Sequence, residues 1–141
     1  MLSALIVLAV AGATPPPMAH FVAIAHPWFR SLPSPLPAGG YFELQNTGRW
    51  NAILTSVEST ACRMLMMHKS ELKDGTSHMT DVSSVEILAG QTVRFSPGSY
   101  HLMCSEPSAT MRAGKSVSVT FRFSDGSSAP VPFAVKSPSG R

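Results

Sequence analysis

Charge is scarce in this chain. Asp, Glu, Lys and Arg make up 13% of 141 residues, about half the usual share of a globular protein. The net surplus is +3, and no Lys/Arg cluster is interleaved with aromatics, which argues against a nucleic-acid surface. The 8 Asp and Glu form no paired-carboxylate pattern, and no His-Ser-Asp arrangement stands out. The chain therefore reads as a non-enzyme with no small-molecule substrate. Cysteine is limited to Cys62 and Cys104, and without a C-x-x-C there is no thioredoxin-like motif. No stretch carries a helical period with caps, and there is no internal repeat. Disorder is excluded too, because it needs low hydrophobicity and high charge, whereas apolar residues are 44% here.

What is present begins with an apolar, uncharged run from Leu2 to Ala11, followed by Gly12-Ala13. A short apolar core before small residues is the pattern of a signal peptide, here 1–13. A membrane span needs about 20 apolar residues, and Thr14-Pro15-Pro16-Pro17 stops the run short of that. An exported, periplasmic or otherwise extracytoplasmic protein is expected. An oxidising compartment permits a disulfide. Pairing of Cys62 with Cys104 and two separate buried thiols both fit the sequence.

The whole sequence is punctuated by 12 Pro and 10 Gly. Between them lie eight candidate strands: 20–26, 40–46, 53–58, 64–68, 92–95, 99–104, 116–123 and 131–135. Val117, Val119, Phe121 and Phe123 alternate with polar neighbours, the period-2 sign of a half-buried strand. Turn signals separate the runs, among them Asn46-Thr47-Gly48, Asp74-Gly75 and Pro97-Gly98. Short strands at this spacing predict an all-β, antiparallel sandwich or barrel in a single domain, 20–136. A linker is expected at 14–19 and a flexible tail at 137–141.

The chemistry concentrates at His101-Leu102-Met103. On a strand, positions i and i+2 share a face, so His101 and Met103 project together while Leu102 and Cys104 point the other way. An imidazole beside a thioether is half of a soft-metal site. His68, at the end of one candidate strand, and Met79, expected in a loop after Asp74-Gly75, can complete it. Two thioethers select Cu(I). Zn(II) prefers thiolate, imidazole or carboxylate, and Ca(II) and Mg(II) want oxygen. All four ligands are neutral and none is a thiolate, which favours transfer over storage. Thioethers do not titrate, so acid weakens such a site only through its histidines. Taken singly, each of these residues is more often structural.

The joint spacing, H-x10-M-x21-H-x-M over His68, Met79, His101 and Met103, resembles the signature of the PCuAC-type periplasmic copper chaperones. With His101 and Met103 given, composition alone would fill the other two positions about once in five hundred. Neighbouring segments agree: Trp28-Phe29-Arg30, the strand Tyr41–Asn46 closing in Asn46-Thr47-Gly48, and Pro97-Gly98-Ser99-Tyr100-His101-Leu102-Met103. The likeness spans about residues 20–135. It implies a cupredoxin-like Greek-key β-sandwich and one Cu(I) held by those four residues. It further implies delivery to an acceptor such as the CuA centre of cytochrome c oxidase subunit II, alongside a Sco-type thiol protein.

The chain departs from that pattern at Met66, His78 and Cys104, each a candidate extra ligand, and at Arg49-Trp50-Asn51 where acidic residues are usual. Two other readings compete on the same fold. One is a blue-copper electron carrier, which needs a Cys thiolate with two His. The other is a metal-free interaction module.

Overall fold

The computed structural model describes residues 14–141 and Ile6. Apart from Ile6, the expected leader lies outside the described residues. Among the described residues, a helical turn, α1 (Met18–Phe21), precedes ten strands. They are β1 (Val22–Arg30), β2 (Ala38–Asn46), β3 (Ala52–Glu58), β4 (Cys62–Lys73), β5 (Thr76–Asp81), β6 (Val85–Ile87), β7 (Thr92–Phe95), β8 (Tyr100–Pro107), β9 (Ser116–Phe123) and β10 (Ser128–Lys136). Hydrogen bonding links them in the order β5-β4-β8-β7-β2-β1-β10-β9-β3-β6.

The sequence of strands turns a corner at β1. Its register against β2 breaks between Ala25 and Trp28, where His26 takes a φ of 52°. A bulge of this kind bends a strand and increases its twist. Beyond the bulge, Trp28–Arg30 also pair in parallel with Ala134–Lys136 of β10, joining the two halves of the sandwich. The halves meet through aromatic side chains. Phe42 of β2 stands edge-on to Phe121 of β9 at 5.1 Å between centroids, and Phe29 of β1 packs on Phe133 of β10 at 5.0 Å. Phe29, Phe121 and Phe133 are fully buried. Such pairs are favourable beyond their buried area.

The predicted alternation holds in β9, where Val117, Val119, Phe121 and Phe123 are buried. The Asn46 turn also has a physical role. Its buried amide donates to the carbonyls of Ile87 (2.9 Å) and Trp50 (2.7 Å), while the Gly48 N–H donates to its side-chain oxygen at 2.9 Å. One side chain thus fixes the β2–β3 turn and tethers β6.

Gly40 on β2 pairs with Leu102 of β8. A Cβ there would sit 2.7 Å from Phe29 Cε1 and 2.9 Å from Leu102 Cβ. Both neighbours are fully buried and have nowhere to go. Gly40→Ala is therefore expected to destabilise the fold by about 1–3 kcal/mol, the usual range for overpacking, measured as a lower urea midpoint at unchanged slope.

The strand assignment is corrected at two places. Residues Thr76–Asp81, expected as loop, form β5, and Val85–Ile87 form β6. All six β5 residues are exposed, so no hydrophobic period announced the strand. It exists because Asp74 (φ 51°) and Gly75 (φ 77°) both adopt left-handed backbone, the geometry of a tight hairpin. Met18 and Ala19, in the stretch 14–19, belong to the turn α1. That turn is anchored by Asp125, whose carboxylate accepts from the Met18 N–H at 2.8 Å. Burial pushes the Asp125 carboxyl up, but the Ser127 hydroxyl and the N–H groups of Met18 and Ser127 outweigh it and hold it below its usual range.

Candidate metal site

Strands β4 and β8 run antiparallel, and their register builds the site as a ladder. His68 pairs with His101, and Met66 with Met103. Directly paired residues share a face, so both imidazoles and both thioethers project from the same side. The opposite side carries Met67, Leu102 and Cys104 into the core. On the other flank of β4, Met79 of β5 pairs with Ser70, and Asp81 pairs with His68. Met79 therefore stands on the same face, one diagonal step from His68.

His68 and His101 are 8% and 7% exposed, which is unusual for histidine, and their rings meet edge to face at 5.8 Å. His101 Nδ1 lies 3.0 Å from the Ser99 carbonyl. A carbonyl only accepts, so Nδ1 carries the proton and Nε2 keeps a bare lone pair. That Nε2 is buried without a hydrogen-bond partner. His68 has no hydrogen bond at either ring nitrogen. Its Nε2 is 2.9 Å from Asp81 Oδ1, an ion-pair separation whose direction is not that of a hydrogen bond. The Asp81 side chain is 90% exposed and well solvated, so the contact contributes little.

Buried polar atoms are nearly always partnered, and each orphan costs about 1–3 kcal/mol. Three orphaned imidazole nitrogens on one rung are thus a costly arrangement, and one ion bound to both rings would relieve two of them. A carbonyl on the far ring nitrogen, as at His101, is the usual device for fixing a ligating tautomer. Met79, His101 and Met103 line a cavity of about 440 Å³ together with Tyr41, Arg30 and Leu32. His68 is not part of its wall; it reaches the site through the rung it shares with His101. The Arg30 guanidinium stacks over Trp28 at 5.3 Å and Tyr41 at 5.6 Å, giving the cavity a rigid cationic border.

All four sequence-predicted residues therefore rise on one face of β5, β4 and β8. Other candidates are resolved. Cys62 and Cys104 form a disulfide, so Cys104 offers no thiolate and the blue-copper reading loses the ligand it needs. His78 pairs with Glu71, one position off Met79, so on a strand it faces the opposite side and cannot replace it. Met66 stays on the site's face. Among the described residues, no group of three or more His, Cys, Asp or Glu side chains is placed to hold a metal ion. Asp81, Ser99 and the Tyr41–Arg30 wall were not singled out from sequence. Asp81 was out of reach of sequence reasoning, since it shares the face of Met79 only once Thr76–Asp81 is a strand.

Known proteins place this arrangement in context. A family model described as "Putative lipoprotein LpqE-like" matches residues 22–135. The "Putative lipoprotein Lxx21020" of Leifsonia xyli subsp. xyli is 36% identical over 128 residues, covering 90% of this chain and 76% of its own length. Among solved structures, the copper-bound PCuAC domain from PmoF2 superposes with a TM-score of 0.70 at 21% identity, covering 84% of this chain and 94% of that one. The solution structure of apo-DR1885 from Deinococcus radiodurans gives 0.67 at 21% identity, over 94% and 91% of the two chains. The fold is the cupredoxin-like β-sandwich of the PCuAC domains.

Proposed function

The chain belongs to the LpqE-like family, and from that premise we propose that it is a non-enzymatic Cu(I) metallochaperone. Its domain, 20–136, holds one Cu(I) as cargo through His68, Met79, His101 and Met103. It passes the ion to an extracytoplasmic acceptor, with the CuA centre of cytochrome c oxidase subunit II and a Sco-type thiol protein as the partners to test first. The observation that carries this reading is the His68·His101 rung, with its bare, buried ring nitrogens flanked by soft thioethers. A relative named as a lipoprotein and the disulfide both support an exported protein.

The ligand set also explains transfer. Four neutral donors leave the ion its charge of +1, and no thiolate anchors it. Met79 is 59% exposed, so the cargo has a donor on the solvent side that an incoming thiolate or imidazole can displace first.

The test is an anaerobic Cu(I) titration against a coloured chelator. Wild type should bind one tight equivalent. His101→Ala should weaken it by 100-fold or more, about 3 kcal/mol, and Met79→Ala by about tenfold, 1.4 kcal/mol. No competition by wild type would leave a metal-free interaction module. A tight equivalent indifferent to both substitutions would place the ligands elsewhere.

A further inference from the structure

The copper ladder does not end at its fourth ligand. One rung beyond His68·His101 stands Met66·Met103, and beyond that Met64 pairs with Ser105. Three consecutive rungs keep one register, so Met64, Met66 and Met103 share the face that carries the imidazoles. Met64 is 57% exposed and the other two are half-buried. A methionine that needed only a core would be on the other face, with Met67 and Leu102.

The geometry points to a second soft-metal position, formed by Met64, Met66 and Met103, immediately outward of the four-residue site. Residues two apart on a strand lie about 6.7 Å from each other, and directly paired Cβ atoms about 5 Å. Three sulfurs around one ion at about 2.3 Å each, the length of a zinc–sulfur bond, stand about 4 Å apart. The thioether's three rotatable bonds close the difference without moving backbone. Met66 now lies along a groove with Thr55, Val57 and Asp81, so it must turn about those bonds toward Met103. Thioether-only coordination suits Cu(I) and excludes Zn(II), Ca(II) and Mg(II).

Such a position binds more weakly than the inner site, because it has no imidazole. It shares Met103 with the inner site, so an ion can move inward by exchanging one ligand at a time. Exposed Met64 is then the first protein donor that arriving copper meets. The inference rests on the chaperone reading for the identity of the cargo; the second position itself stands on the register and the exposure.

Ag(I), a soft ion that needs no protection from air, is the probe. The full chain is labelled with 13C at its methionine methyl groups and titrated while the methyl resonances are followed. The first equivalent should shift Met79 and Met103. The second should shift Met64 and Met66 and move Met103 again, as its sulfur uses its second lone pair to bridge the two ions, with an affinity at least tenfold lower. Substituting both Met64→Leu and Met66→Leu, a volume-conserving change, should abolish the second event and leave the first. Static Met64 and Met66 methyls through three equivalents would overturn the inference. So would an equal shift of Met18 in α1, which would mark non-specific thioether binding. Early movement of Met64 and Met66 with Met79 unmoved would sustain the thioether position and sink the four-residue site.

Discussion

Replacing His68 with leucine is expected to stabilise the metal-free protein by about 1 kcal/mol while removing its tight Cu(I) equivalent. Wild-type His68 is 8% exposed, and neither ring nitrogen has a hydrogen-bond partner. Each such orphan carries a desolvation penalty of about 1–3 kcal/mol. Leucine has no polar atom to desolvate and fills a similar volume, so the gain is reduced only by imperfect packing. The one interaction lost is the approach to Asp81, whose carboxylate is 90% exposed and remains solvated. Urea unfolding with chelator present would show a raised midpoint at unchanged slope. The competition titration on the same variant should fall by 100-fold or more. The opposite pairing, lower stability with intact copper affinity, would mean that His68 is a structural histidine. A residue that is poor for the fold and needed for the ligand is where sequence-level rules of foldability are expected to fail.

Removing the disulfide should have the largest effect on stability. Cys62 and Cys104 are 42 residues apart, and a loop of that size stabilises by about 4 kcal/mol in the chain-entropy treatment. A domain of this size has about 5–15 kcal/mol in total. The Cys62→Ala, Cys104→Ala double variant should therefore melt on the order of 15 °C lower. Cys104 is fully buried, so the lost sulfur adds a packing deficit in the same direction. The variant's copper affinity should stay within about threefold of wild type, because the rungs are aligned by the β4·β8 backbone ladder itself. A drop of less than about 4 °C would show that the sandwich constrains itself and the cross-link is incidental. A large loss of copper affinity at low temperature, with the fold intact, would show that the cross-link sets the rungs.

Some of this was written in the chain. The alternation through Ser116–Phe123 specified a half-buried strand, and β9 has those bounds, because a period of two puts one set of side chains in water and the other in the core. His101-Leu102-Met103 specified that imidazole and thioether share a face, for the same reason. The soft, neutral donor set pointed to the class of metal to test. Local chemistry of this kind needs no knowledge of what lies opposite.

Other features waited for the fold. Thr76–Asp81 has no buried face, so nothing in its composition marks it as a strand; the Asp74-Gly75 hairpin and the edge of β4 make it one. The fate of Cys62 and Cys104 could not be read from two cysteines 42 residues apart, since a disulfide depends on Cα separation and direction in space. Strand period alone cannot say that His68 faces His101 and not a neighbour one position away, because a slip of one residue would turn every side chain of β4 to the other side. The sequence by itself determined which atoms are available to a soft ion and which residues of each strand travel together. The tertiary structure decided the register of β4 against β8 and β5, and so whether those atoms converge. Convergence is a matter of long-range pairing, and a strand's own residues carry no record of its partner.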